Sequence, residues 1–200
     1  MSPQERTEKD RSLAIHGGTP VRAEPLPLEF PGVHHMGAEE EEAVLRVVRS
    51  RSLFRYYGLD LRREAAAFES EMAAFLGVRH AVAVSSGTGA LHVALGALGV
   101  GPGQEVIIPA YLWVSIIDAV VNRGAIPVVA DIDQSFCLDP ADVERRITPR
   151  TAGIILIHMS GAPGNAPEMV KLARERGLWV LEDCAQCAGG GIGGRKAGSF

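Results

Sequence analysis

Residues 84–91 read Val-Ser-Ser-Gly-Thr-Gly-Ala-Leu, and this stretch decides the fold class. It joins the end of a short apolar run, a turn of small residues and a following run of small and apolar residues typical of a helix. A strand, a tight turn and a helix start in this order aim unpaired N–H groups and the positive end of a helix at one point, which favours a phosphate or another anion. The stretch therefore predicts an α/β domain with an anion site at Gly87 and Thr88.

A second apolar run ends abruptly in carboxylates. Residues 180–186 read Val-Leu-Glu-Asp-Cys-Ala-Gln. In open α/β sheets, ligands collect at the carboxyl ends of the strands, so this acidic end is predicted beside the turn. A phosphate cradle and an acid at one sheet edge suit a cofactor that is anionic at one end and cationic at the other. Pyridoxal phosphate is such a cofactor, because an acid commonly partners its pyridinium nitrogen.

Strands and helices alternate along the rest of the chain. The strands are runs rich in Val, Ile and Leu without a polar alternation, which is typical of parallel strands buried on both faces. The predicted strands cover 81–84, 105–108, 127–130, 153–157 and 178–181. The predicted helices cover 88–98, 114–122, 141–147 and 167–176. The fold class is therefore α/β, with a mainly parallel sheet and flanking helices.

The N-terminal part of the chain has a different composition. Residues 1–12 are charged and contain few apolar side chains, which predicts a disordered tail. Residues 13–60 form a predicted arm, rich in Gly and Pro, with one helix over about 38–50 that carries the apolar stripe Ala43, Val44, Val47 and Val48. The sheet domain is predicted over 61–200. It opens with a helix over about 61–76, ended by Gly77, and its inward side chains are predicted to be Ala65, Phe68, Met72, Phe75 and Leu76.

Composition and charge exclude several function classes. The net charge is −4, and Lys and Arg form no basic stripe, so nucleic-acid binding is not expected. The longest apolar stretch, 106–121, contains Pro109, Ser115 and Asp118 and is too short and interrupted to cross a membrane. The N-terminus shows no apolar segment of a signal peptide, and three cysteines suggest no disulfide framework. We expect a cytoplasmic protein.

Each candidate residue also has a structural interpretation. The turn at Gly87 and Thr88 could be a plain helix cap, Asp183 a cap or a buried ion pair, and Trp113 a core residue. Cys184 and Cys187 have the spacing of a redox or zinc pair, but no further ligands accompany them, and the neighbouring acids raise thiol pKa values. We predict no metal site. The glycines of 189–194 match a dinucleotide fingerprint but precede no helix.

Four segments together resemble the DegT/DnrJ/EryC1/StrS aminotransferases. These are pyridoxal-phosphate enzymes of the aspartate-aminotransferase fold (fold type I), and they aminate keto-sugars and keto-cyclitols. The resemblance runs from about residue 13 to 200, and the segments stand in the family's order at 85–92, 101–109, 182–186 and 194–200. The arm at 15–22, the Trp113-Val114 pair and residues 136–140 resemble the aminocyclitol branch, the glutamine:scyllo-inosose aminotransferases.

The resemblance implies a role for five residues. Gly87 and Thr88 would bind the cofactor phosphate, and Trp113 would stack on the pyridine ring. Asp183 would pair with the ring nitrogen, and Gln186 would meet the ring hydroxyl. A carboxylate beside the nitrogen keeps it protonated, so that the ring can act as an electron sink.

The family's Schiff-base lysine is expected beyond Phe200. The lysines of this chain are Lys9, Lys171 and Lys196, and the resemblance places Lys196 upstream of the lysine strand. It also implies that the chain stops before the last strands of the large domain and before the small C-terminal domain. The strand at 81–84 would then lack its neighbours, and residues 1–200 made alone would be poorly soluble or partly unfolded.

The expected function is the transfer of an amino group from glutamine or glutamate to a keto-sugar or keto-cyclitol, by a protein that is a homodimer when complete. One alternative is a sugar dehydratase of the same family, in which a histidine replaces the lysine. Another is a fragment that binds cofactor or a partner without turnover.

Overall fold

The computed structural model describes residues 13–25, 31–58 and 61–200. The tail predicted over 1–12 lies outside these residues. The chain divides into two compact units between Arg62 and Arg63. In the described part of the first unit, a 3-10 turn at Ala14–His16 precedes helices α1 (Pro31–His34) and α2 (Ala38–Ser50). Helix α2 has the predicted bounds, and the Glu40 carboxylate accepts a hydrogen bond from the Gly37 N–H at 2.7 Å.

The second unit contains the predicted alternation of strands and helices. Its helices are α3 (Glu64–Leu76), α4 (Gly87–Ala97), α5 (Ser115–Asn122), α6 (Pro140–Arg146) and α7 (Ala166–Glu175). Its main strands are β1 (Glu105–Pro109), β2 (Ile126–Ala130), β3 (Thr151–Ile157) and β4 (Trp179–Asp183). A two-stranded hairpin, β5 (Gly191–Ile192) and β6 (Arg195–Lys196), follows.

The four main strands form one parallel sheet in the order β2-β1-β3-β4. Successive side chains of a strand point to opposite faces, and both faces are covered. Val106 and Ile108 of β1 pack in one apolar cluster with Leu95 of α4 and Ile116 of α5. Ile107, between them, packs in a second cluster that includes Val143 of α6 and Met169 of α7. The predicted α/β architecture is confirmed.

The segment at 81–84 is not a strand, which corrects the prediction. It pairs with no strand of the described residues. Instead, the Ala83 N–H donates to the Glu69 carboxylate of α3 at 2.7 Å, and Val82 is 72% exposed. The sequence here is apolar enough for a strand, but a strand forms only when a neighbouring strand pairs with its backbone. At this position one backbone N–H, that of Ala83, is instead bonded to a side chain of α3.

Helix α3 differs from the prediction at two points. It begins at Glu64 rather than near 61, because Arg63 has a left-handed backbone (φ 58°) that a helix cannot include. Phe68 and Phe75, predicted to face inward, are each 52% exposed, and Ala73 is the buried residue of the helix. Gly77 ends the helix in the left-handed region as predicted.

The glycine-rich segment near the end of the chain forms a hairpin. Gly193 and Gly194 connect β5 to β6 with φ values of 58° and 81°. Two consecutive positive φ angles match a two-residue hairpin turn of the type that Gly-Gly favours. Across the described residues, the helices are too short or too polar to cross a bilayer.

Candidate active site

A cavity of about 560 Å³ lies at the edge of the sheet where the strands end. Its apolar wall comes from both helices that cover this face and from the ends of β3 and β4, including Leu91, Ile116, Ile157 and Leu181. Five predicted site residues from separate parts of the chain line this one cavity. They are Gly87, Thr88, Trp113, Asp183 and Gln186.

The turn before α4 offers donors to this cavity. Ser86 caps the helix, because its Oγ accepts a hydrogen bond from the Gly89 N–H at 3.0 Å. The N–H groups of Gly87 and Thr88 belong to the first turn, where no intrahelical acceptor exists. A Cβ added at Gly87 would meet no atom within 4 Å, so the turn is open at this point. These donors and the positive helix end fit a phosphate.

Asp183 presents a carboxylate oxygen at the end of β4. Its backbone carbonyl accepts from the His158 N–H at 3.0 Å, and its Oδ1 accepts from the Ala185 N–H at 3.0 Å. The other oxygen, Oδ2, has no hydrogen-bond donor among the residues that the structure describes. The side chain is half-buried, so this oxygen can accept a hydrogen bond from a protonated nitrogen of a ligand.

Gln186 and Trp113 stand at the more open side of the cavity. The Oε1 of Gln186 accepts from the Ser160 N–H at 2.7 Å, which leaves its NH₂ group as a donor for a ligand. Trp113 follows β1 and is 71% exposed, so the structure does not support the alternative that it is a core residue. Its indole is free to cover a flat ligand in the cavity.

A buried hydrogen-bond network beside Asp183 was not predicted from the sequence. His158, at the end of β3, is fully buried, and its Nε2 lies 2.9 Å from the Glu182 Oε2. Glu182 also accepts from the backbone N–H groups of Gly198 and Phe200, at 2.8 Å each. The adjacent position of the two acids in the motif was the available signal, but it did not indicate that one points into the cavity and the other into this network.

The Cys184 thiol joins the same region. Burial and then the charge of Glu182 raise the pKa of Cys184 to about 12. The direction is the one predicted from the neighbouring acids, but burial is the larger cause. Ligand atoms of His158, Glu182 and Cys184 lie within 4.8 Å of one another. However, both oxygens of Glu182 already accept hydrogen bonds from N–H groups, so a metal ion would have to displace these bonds.

Lys196 does not line the cavity. Its ammonium lies 4.0 Å from the ring centroid of Phe75 in a cation–π contact on the hairpin side of α3. This position agrees with the inference that Lys196 is not the family's covalent lysine.

Comparison with protein families identifies the family of this chain. The model of the DegT/DnrJ/EryC1/StrS aminotransferase family matches residues 34–200. The chain belongs to this family. The L-glutamine:2-deoxy-scyllo-inosose aminotransferase of Streptoalloteichus tenebrarius is 40% identical over 188 residues, which cover 94% of this chain and 44% of the relative. The chain therefore spans less than half the length of this relative.

Solved structures of family-like proteins share the fold. DesV of S. venezuelae superposes with a TM-score of 0.76 at 36% identity, over 85% of this chain and 44% of that chain. NtdA of Bacillus subtilis, solved with bound cofactor PMP, superposes with a TM-score of 0.73 at 31% identity, over 88% of this chain and 40% of that chain. The likeness confirms the large-domain architecture that the sequence predicted.

Proposed function

We propose that the full-length protein is a pyridoxal-phosphate-dependent aminotransferase that transfers an amino group from glutamine or glutamate to a keto-cyclitol or keto-sugar. The observation that carries this proposal is the single cavity lined by Gly87, Thr88, Trp113, Asp183 and Gln186. A helix N-terminus and an unpaired carboxylate oxygen in one cavity match the anionic and cationic ends of pyridoxal phosphate.

The residues have distinct roles in this proposal. The N–H groups of Gly87 and Thr88 and the Thr88 hydroxyl hold the phosphate. The free oxygen of Asp183 keeps a proton on the ring nitrogen, and the Gln186 NH₂ donates to the ring oxygen. Trp113 covers the ring face and excludes water. Bound pyridoxal phosphate supplies an electron sink for the carbanion formed at the substrate carbon.

The relatives favour one substrate class. The relative from Streptoalloteichus tenebrarius, which matches 94% of this chain, is named for glutamine as donor and an inosose, a keto-cyclitol, as acceptor. We therefore propose glutamine as the first donor and a keto-cyclitol as the first acceptor to test. We also propose that the full-length protein is cytoplasmic and forms a homodimer. Sedimentation of the purified protein would test the dimer, and fractionation of the cells that produce it would test the location.

Substitutions in the full-length protein test the cofactor site. Asp183→Asn should retain pyridoxal phosphate but lower kcat by at least 10²–10³-fold, because removal of one electrostatic group costs about that much and the electron sink weakens as well. Thr88→Val should lower cofactor retention at limiting cofactor. Asp118→Asn, an exposed acid on α5, is the matched control and should behave as wild type.

The two half-reactions separate aminotransfer from the alternatives. Wild type with glutamine alone should lose the visible absorption of its bound cofactor, and the keto-cyclitol should restore it while an amine appears on the cyclitol. Release of water from a keto-sugar without net amine transfer would instead identify a dehydratase. Cofactor binding without either reaction, or full activity in Asp183→Asn, would refute the proposal.

A further inference from the structure

One buried carboxylate ties three segments of the second unit together. Glu182 lies on β4 directly before Asp183, and its side chain is 7% exposed. Its Oε2 accepts from the Gly198 N–H at 2.8 Å and pairs with the His158 Nε2 at 2.9 Å. Its Oε1 accepts from the Phe200 N–H at 2.8 Å. The three donors are separated from Glu182 by 24, 16 and 18 positions in the chain.

His158 extends this tie to the active-site acid. Its backbone N–H donates to the Asp183 carbonyl at 3.0 Å, while its ring meets Glu182. Because Nε2 faces a carboxylate, that nitrogen carries the proton. The end of β3, the end of β4 and the turn at 198–200 are therefore held by one connected set of hydrogen bonds that passes through the Glu182 side chain.

The carboxylate form of Glu182 is what this arrangement requires. A carboxylate accepts at both oxygens, and hydrogen bonds to a charged acceptor are roughly twice as strong as neutral ones. A glutamine of the same shape has one accepting oxygen, and its NH₂ group would face an N–H donor. At least one buried donor would then lose its partner, which is costlier than the loss of an exposed bond.

We propose that Glu182 is a positioning residue for the reaction. It holds the turn at 198–200 and, through His158, the end of β4, and so fixes where the Asp183 carboxylate stands relative to the phosphate turn at 87–88. The inference rests on the proposed function. Without the Glu182 carboxylate, the end of β4 and the turn move independently. A displacement of about 1 Å in the site is enough to lower a rate by about 10²-fold.

The test compares three variants of the full-length protein with wild type. Glu182→Gln removes the double acceptor, Glu182→Asp keeps a carboxylate but withdraws it by one methylene, and Glu168→Gln changes an exposed acid on α7 as the control. Two kinds of measurement are made well below the melting temperature of each variant. The first is steady-state kinetics, with kcat and KM per cofactor-loaded protein, and the second is amide hydrogen exchange at Gly198 and Phe200.

We expect Glu182→Gln to lower kcat by about 10–100-fold with a smaller change in KM, and to lose exchange protection at Gly198 and Phe200. Glu182→Asp should recover part of both, and Glu168→Gln should match wild type. If Glu182→Gln does not fold, His158→Leu against His158→Gln gives the same comparison, because glutamine keeps a donor for the carboxylate.

The outcomes separate this inference from the proposed function. The inference would be overturned if wild type is active and Glu182→Gln has the same kcat as wild type despite faster exchange at the two amides. The hydrogen bonds of Glu182 would then stabilise the structure without affecting the reaction. The same kcat in His158→Leu and His158→Gln would also overturn it. A full-length wild type without cofactor binding or turnover would instead overturn the proposed function, and the positioning role of Glu182 with it.

Discussion

Replacing Gly153 by alanine should destabilise the sheet, and the structure gives the reason. Gly153 on β3 pairs directly with Trp179 on β4, and the indole lies across the glycine. An added Cβ would lie 2.1 Å from the Trp179 Cδ2 and 2.4 Å from Cε2, whereas ordinary contact begins at 3.4 Å. The indole or the strand must therefore move by about 1.3 Å (3.4 − 2.1). Such overpacking in a core costs about 1–3 kcal/mol.

The cost can be assigned to the indole with a double-mutant cycle in the full-length protein. Urea unfolding gives the stability of wild type, Gly153→Ala, Trp179→Ala and the double variant. If the clash is the cause, the effect of Gly153→Ala should fall to within about 0.5 kcal/mol of zero once the indole is absent. Gly101→Ala is the control, because a Cβ there meets no atom within 4 Å. An equal cost of Gly153→Ala in both backgrounds would refute the reasoning.

Two further predictions concern ionisable groups. Because the pKa of Cys184 is raised to about 12, its thiol should react with iodoacetamide at pH 8 on the order of 10²-fold more slowly than a free cysteine, since the smaller thiolate fraction outweighs the higher nucleophilicity of that thiolate; peptide mass spectrometry that shows an ordinary rate would contradict this. Hydrogen bonds from Thr148 and then Arg150 lower the pKa of Glu105 from 4.5, so its contribution to stability is present above that pH and is lost as the pH falls through the lower folded-state value. Glu105→Gln should therefore flatten the fall in unfolding free energy below pH 5, and an unchanged acid profile would count against this ion pair.

Much of the fold could be predicted because buried parallel strands leave a strong sequence pattern. The strands β1 to β4 are continuous apolar runs, and the turns between them carry glycine or a helix cap such as Asp139. The start of α3 could not be predicted in the same way, because the left-handed backbone of Arg63 has no sequence signature. Periodicity placed Phe68 and Phe75 on one face of α3, but it carries no information about whether another element covers that face.

The site shows the same division. Strand ends and the family resemblance predicted the residues that line the cavity, because those positions follow from local order along the chain. The network of Glu182 could not be predicted, since its partners are distant in sequence and two are backbone N–H groups of Gly198 and Phe200. The strand prediction at 81–84 was wrong for a related reason, because a strand forms only beside a neighbouring strand and its own residues do not show whether one is present.

The cavity has one more consequence, which concerns folding rather than catalysis. Its walls come from residues 87–94, 113–116, 157–159 and 181–186, so the unfolded chain contains no such site. A ligand that binds there adds its binding free energy to the stability of the native state, about 2.7 kcal/mol when its free concentration is 100 times its dissociation constant. The supply of that ligand in the cell would then set how much of the protein survives proteolysis, so that abundance follows the ligand even where the rate of synthesis does not change.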